Sequence, residues 1–205
     1  MVFVLATNNP NKAREIGALF SCTGIDVLSL ADLGLTFTPG EDGNTFVDNA
    51  VQKATETAAF LRGRADSADK AYAVLADDSG LIIDALGGLP GVDSALYMGA
   101  DTPYEVRNAF ILKQMQNVPD EGRAARFVCV AACVLPDGEV LTATGTLEGT
   151  VARECAGVNG FGYDPLFFLP ERGLTLAQLS EGEKNEISHR GKAMREMARK
   201  LEGYA

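Results

Sequence analysis

Two aspartates stand side by side in "ADDSG", Ala76 to Gly80, directly after the apolar stretch Tyr72–Leu75. Adjacent carboxylates repel each other, although Asp, Ser and Gly are also ordinary turn residues at a strand end. Together with Glu41 of "GEDGNTF", Asp77 and Asp78 make an acidic set suited to Mg²⁺, which takes one or two carboxylates plus substrate phosphates. One aspartate of such a pair could also activate a water. A second group is "TNNPNK", Thr7 to Lys12, where a strand passes through a polar turn into a helix. A helix start collects backbone N–H groups and the positive end of the dipole, and here Thr7, Asn9 and Lys12 add donors and charge. That is a phosphate cradle without the glycines of a P-loop, and equally the pattern of any well-capped helix.

Two groups lie further on. In "FGYDP", Phe161 to Pro165, two aromatics flank a glycine ahead of a carboxylate. An aromatic face can stack on a heterocycle while Asp164 accepts from ring N–H donors, though an aromatic in a loop also serves as a core plug. "EKNEISHRGKAM", Glu183 to Met194, holds the only histidine, His189, among Lys184, Arg190 and Lys192. In a chain with 28 acidic and 18 basic residues, net −10, such a basic cluster suits an anion or a carbonyl-bearing ligand, or else is a solvated helix end. The same net charge makes long nucleic acid and anionic membranes poor partners.

The elements that must position these groups follow from pattern. Val2–Ala6 and Ile25–Leu30 read as strands. Asn9 caps a helix with Pro10 at its first position and Ala13, Ile16, Leu19 and Phe20 inward. Asn44 or Thr45 caps a helix to about Leu61, with Phe46, Val47, Val51, Ala54 and Ala58 inward; 62–70 is a polar loop. Tyr72–Ala76 and Leu81–Leu86 are strands either side of the aspartates, followed by a glycine-rich turn at 87–91. Thr102-Pro103 opens a helix to about Gln116. Ala125–Leu135 and Glu139–Leu147 form a hairpin about "PDG", with short strands at 150–153 and 166–169, and Ser188 caps a last helix. Helices alternating with strands early and a hairpin late specify an α/β fold with a mixed sheet in a single domain spanning 1–205.

Cys22, Cys129, Cys133 and Cys155 form no CxxC pair, which disfavours structural zinc. The opening "MVFVLATNNP" has no basic stretch and turns polar too soon for a signal peptide. No apolar run approaches the about 20 residues that span a bilayer. The expectation is a cytoplasmic protein with reduced thiols.

"LATNNPNK", "EDGNTFVDNA", "ADDSGL", "LGGLPG", "GFGYDPLF" and "EKNEISHRGKAM" occur in this order over residues 2 to about 202. Together they resemble the inosine triphosphate pyrophosphatase, or Ham1-like, family, enzymes that hydrolyse non-canonical purine nucleoside triphosphates. The resemblance implies an elongated mixed sheet with flanking helices, two lobes around a substrate cleft, and a homodimer. It implies that the loop Thr7, Asn8, Asn9, Pro10, Asn11 and Lys12 binds triphosphate, with Lys53 a further phosphate partner. Glu41 and Asp78 would bind Mg²⁺, which would neutralise the paired aspartates, and Asp78 would accept the proton of the attacking water. Ser79 would lie against substrate, and Phe161, Gly162, Tyr163, Asp164, Lys184, His189 and Arg190 would form the nucleoside pocket, His189 and Arg190 donating to a 6-oxo group. The implied activity turns ITP, dITP and XTP into the monophosphate and pyrophosphate. Two alternatives are a phosphatase using Asp77 or Asp78 as nucleophile and a nucleotide sensor without turnover. The chain departs from many bacterial members at Leu96, where an arginine is common, and at Cys155, where a proline is common.

Overall fold

The computed structural model describes residues 1–21, 23–64 and 71–204. Cys22 and the second part of the polar loop expected over 62–70 lie outside the described residues. Seven strands, β1 (Val2–Leu5), β2 (Val27–Ser29), β3 (Tyr72–Ile83), β4 (Ala124–Val134), β5 (Val140–Val151), β6 (Phe167–Leu169) and β7 (Leu174–Thr175), make one sheet in the order β2-β1-β3-β4-β5-β6-β7. β1 pairs in parallel with β2 and β3, whereas β5–β6 and β6–β7 are antiparallel. The helices are α1 (Pro10–Phe20), α2 (Phe46–Arg62), α3 (Tyr104–Gln114), α4 (Glu181–Ile187) and α5 (His189–Leu201). The α/β class and the mixed sheet are as expected. Among the described residues no helix is long and apolar enough to cross a membrane.

Two expectations about strands are corrected, and two elements are added. β3 is one continuous strand through "ADDSG", not two strands around a turn. Apolar Leu81 and Ile83 continue the buried pattern beyond the aspartates, both of which are buried, so no turn interrupts the strand. The strand ends at Ile83, and Asp84–Leu86 is a 3₁₀ turn. Likewise β5 runs unbroken over the two pieces expected at Glu139–Leu147 and 150–153. Finally α4 and β7 were not anticipated; α4 carries a full capping box, Ser180 with Glu183. Smaller shifts concern caps: Pro103, not Thr102, is the N-cap of α3, and the Thr102 hydroxyl donates to Met98 O.

The chain groups into two compact units, residues 1–78 with 129–145 and 190–205, and residues 79–128 with 146–189. Within the first, strand alternation sorts side chains onto two faces. Phe3, Leu5, Ala73, Leu75, Cys129 and Ala131 meet Ile16 and Phe20 of α1 and Ala193, Met194 and Met197 of α5. Val4, Ala6, Val74, Ala76, Val130 and Ala132 meet Ala50, Ala54, Ala58 and Leu61 of α2. Val47, expected inward, is 45% exposed, because the buried face of α2 runs through 50, 54, 58 and 61. The second unit packs Leu81, Ile83, Ile111, Phe127, Tyr163, Phe167 and Leu176 into its own core.

Candidate active site

Strand periodicity answers the question raised by the adjacent aspartates. Neighbours on a strand point to opposite faces, so Asp77 continues the row Ala73, Leu75 toward α1 and α5, while Asp78 continues Val74, Ala76 toward α2. Each then meets its own cations. Lys12 Nζ lies 3.2 Å from Asp77 Oδ2, and Arg190 Nε and Nη2 each lie 3.3 Å from the same oxygen. Arg190 Nη1 donates to Glu15 Oε2 at 2.6 Å, so a second buried carboxylate backs the guanidinium. Cys129 Sγ stands 3.8 Å from Asp77 Oδ2. On the other face Lys53 Nζ reaches Asp78 Oδ1 at 2.9 Å and Glu41 Oε1 at 2.5 Å, and Asn49 Nδ2 donates to Asp78 Oδ2 at 3.1 Å. The protein's own ammonium and guanidinium groups thus compensate the pair, a role that the resemblance gives to Mg²⁺.

The two aspartates titrate in opposite directions. Burial alone would push Asp77 up, but Lys12, Arg190 and Lys53 outweigh it and hold the carboxyl well below the usual range. Burial is also the largest influence on Asp78, and there Lys53, Lys12 and Asn49 do not fully offset it, so its affinity for a proton is raised. Lys53 loses hydration by burial, yet Asp78, Asp77 and Glu41 keep it more firmly protonated than usual. Asp77 is a fixed charge; Asp78 is the better proton acceptor.

Local sequence explains how these groups are placed. Asn9 Oδ1 accepts from the N–H groups of Asn11 (3.0 Å) and Lys12 (3.3 Å), and Asn9 N–H donates to Thr7 Oγ1. The cap therefore takes up two donors that the sequence reading offers to a phosphate, and leaves the Lys12 ammonium as the main cationic feature of the loop. Asn8 turns away to donate to Phe37 O and Thr38 Oγ1; Pro10 is exposed and Asn11 half-buried. Thr45 caps α2, whose residues 49 and 53 are one turn apart and share a face. Asn49 Oδ1 also accepts from Gly43 N–H at 2.8 Å, which ties the loop bearing Glu41 to the helix. A side chain at position 43 would collide with Asp48 and Asn49, so glycine is required there. Ser79 follows on β3, half-buried, as the first residue of the second unit.

In the second unit Lys184 Nζ and Phe161 N–H both meet Asp164 Oδ2, at 2.6 and 2.8 Å. The Lys184 ammonium lies 4.8 Å from the centre of the half-buried Phe161 ring. Gly160 has φ +71°, and any Cβ there would strike Asp164. Tyr163 is a core residue: its hydroxyl donates to Ser94 O at 2.8 Å and its ring meets Tyr104 edge-on. Gly162 O accepts from Asn108 Nδ2. The His189 ring stacks on Phe127 at 4.6 Å and is buried. Of the residues assigned to a nucleoside, Phe161, Asp164 and Lys184 thus form one cluster and Tyr163 belongs to the core. The Arg190 guanidinium is directed at Glu15 and Asp77. Sequence reading missed Asn49 and Glu15. The i, i+4 spacing of Asn49 and Lys53 on the helix face that also carries Ala50, Ala54 and Ala58 is the available signal for the first; nothing local marks the second.

Glu41 and Asp78 converge on one ammonium nitrogen, a pair of hard oxygen donors whose chemistry fits a divalent cation. Among the described residues no group of three or more His, Cys, Asp or Glu could hold a metal by itself. Two carboxylates suit Mg²⁺ that completes its shell with substrate phosphates and water.

The model of the Ham1 family matches residues 3–200. The dITP/XTP pyrophosphatase of Desulforamulus reducens is 45% identical over 195 residues, covering 95% of this chain and 92% of that protein. The one from Exiguobacterium sibiricum is 43% identical over 197 residues, 96% and 95% of the two chains. Among solved structures, the Ham1 protein of Staphylococcus aureus superimposes with a TM-score of 0.84 at 36% identity, over all of both chains. A nucleoside-triphosphatase / dITP/XTP pyrophosphatase from Mycobacterium abscessus gives 0.72 at 37% identity, over 98% of this chain and 100% of that one. With its length matched almost end to end in sequence and in fold, this chain belongs to the Ham1 family.

Proposed function

We propose that the chain hydrolyses the non-canonical purine nucleoside triphosphates ITP, dITP and XTP to the monophosphate and pyrophosphate, keeping deaminated purines out of the nucleotide pool. The observation that carries this reading is the grouping of Lys12, Lys53, Glu41 and Asp78 about the middle of β3. Lys12 and Lys53 bind the phosphates. Asp78, whose proton affinity burial raises, takes a proton from water as the water oxygen bonds to the α-phosphorus; the bond to the bridging oxygen breaks and pyrophosphate leaves. Glu41 and Asp78 would hold Mg²⁺, which when bound neutralises charge on the phosphates and acidifies water. For the base, Phe161 offers an aromatic face, and Lys184 beside it is a donor that suits a 6-oxo group and not the 6-amino group of adenine.

An aspartyl-phosphatase reading through Asp77 fits less well, because the Asp77 side chain is completely buried behind Lys12 and Arg190. The test is direct: ITP with enzyme and Mg²⁺ yields one pyrophosphate per IMP, whereas release of orthophosphate overturns the reading. Comparable kcat/KM for ITP and ATP would overturn the 6-oxo selectivity.

The homodimer implied by the resemblance is part of this proposal. Leu96, Met98, Val106 and Phe110 are all 39–53% exposed in the second unit, and Tyr97 packs on Phe110 at 6.4 Å. Exposed apolar groups so close together support a self-association surface here, which Leu96 in place of the commoner arginine would extend. Phe110→Glu is expected to turn a sedimenting dimer into a monomer; a wild-type monomer would overturn the assignment.

A further inference from the structure

Lys53 Nζ touches both carboxylates that the reading above gives to the metal, 2.5 Å from Glu41 Oε1 and 2.9 Å from Asp78 Oδ1. Its side chain is only 5% exposed, and it rises from the helix face that buries Ala50 and Ala54 completely. An ammonium so held uses the same oxygen lone pairs that a metal would use, and its charge repels a divalent cation at close range. The Asp78 carboxylate and the loop that carries Glu41, by contrast, have supports that do not depend on Lys53. Asn49 grips Asp78 with its Nδ2 and the Glu41 loop with its Oδ1, and Glu56 accepts from Gly40 N–H at 2.7 Å just ahead of that loop. Without Lys53 the Asp78 carboxylate and the loop bearing Glu41 would both keep an anchor on α2.

We infer that Lys53 is a tethered cation that competes with divalent metal for Glu41 and Asp78, and that a triphosphate opens the pair to metal by giving the ammonium another anion. The inference rests on the assignment of Glu41 and Asp78 as the metal pair. It makes Lys53 a coupling residue as well as a phosphate ligand: metal and nucleotide favour each other's binding by the same factor, since linkage is reciprocal. Metal without nucleotide is held weakly, so the site loads with both together. A lysine that served only as a phosphate ligand would leave the metal affinity of the nucleotide-free protein untouched.

The experiment is titration of the nucleotide-free protein with Mn²⁺, following unbound Mn²⁺ by electron paramagnetic resonance. Lys53→Met keeps an unbranched stem and removes the charge, and Lys53→Gln keeps a hydrogen-bond donor between the carboxylates, serving if the first variant does not fold. Both are expected to bind Mn²⁺ about tenfold more tightly than the wild type, a usual size for linked binding. Adding Glu41→Gln to either is expected to abolish the gain. Affinity unchanged or weakened in the Lys53 variants, with Glu41→Gln still weakening the wild type, overturns the competition and leaves the metal pair standing. If neither Glu41→Gln nor Asp78→Asn alters Mn²⁺ binding in any background, the metal pair itself falls, and the inference with it.

Discussion

In the first unit Lys12, Lys53 and Arg190 each lie against one or two carboxylates, whereas in the second Arg107 and Arg123 are buried among main-chain carbonyls. Arg107 donates to the carbonyls of Ser94, Ala95, Gly99 and Ala100 and stacks on Tyr104 at 4.7 Å. Arg123 donates to Met115, Val118, Val151 and Ala152. The difference is one of exchangeability. A side-chain carboxylate can yield its cation to an incoming phosphate at the cost of a rotamer change. A carbonyl is part of the loop it helps to shape, and losing the donor means reshaping the loop. The first kind of contact can give way to a ligand; the second is a staple. Lys184 with Asp164 is the exchangeable kind in the second unit, and it lies beside Phe161, where a base is expected.

The largest effect is expected at Arg123. Arg123→Met leaves the carbonyls of Met115, Val118, Val151 and Ala152 without this donor, so the unfolding free energy in urea should fall by about 3 kcal/mol or more. A loss no greater than that of a surface substitution would show that the guanidinium is no staple. Asp78→Asn tests the other side: kcat for ITP should drop about 100-fold or more, while the urea midpoint moves little. Near-normal turnover in that variant would remove Asp78 as the base.

A subtler effect is expected at Glu15. Glu15→Gln removes the charge behind Arg190, draws Asp77 toward the guanidinium and loosens Lys12. Inhibition by pyrophosphate should weaken about tenfold, inhibition by inosine should not, and the effect should shrink in a Lys12→Ala background because residues in one network are not additive. Full additivity would mean that Glu15 supports the fold and not the phosphate site. The smallest effect concerns the thiols. Burial pushes Cys133 up to about 12 and raises Cys129, with Asp77 adding to the latter, while Cys155 is exposed. Iodoacetamide should label the peptide carrying Cys155 in the folded protein and those carrying Cys129 and Cys133 only after unfolding; equal labelling would show that the first unit opens readily.

Local physics was legible wherever a few neighbouring residues decide the outcome. Asn9-Pro10 starts α1 and Thr45 caps α2 because a side-chain oxygen and a fixed φ act within one turn. The Ser180–Glu183 capping box that starts α4 is an equally local signal. "ADDSG" misled because Asp, Ser and Gly are turn formers by local propensity. Only the burial of both aspartates against lysines far along the chain allows the strand to continue, and strand period 2 then sends the two carboxylates to different faces.

The order of motifs, the α/β alternation and the chemical identity of Lys12, Glu41, Lys53, Asp78, Phe161 and Lys184 were therefore fixed by sequence. Which carboxylate each cation meets was not. Arg190 and Glu15 are 175 residues apart, Lys53 and Asp78 are 25 apart, and their pairing depends on the sheet order that brings β1, β3 and their helices together. A charge carries its sign in the sequence, but its partner is set by distance and burial, and those exist only once the chain has folded.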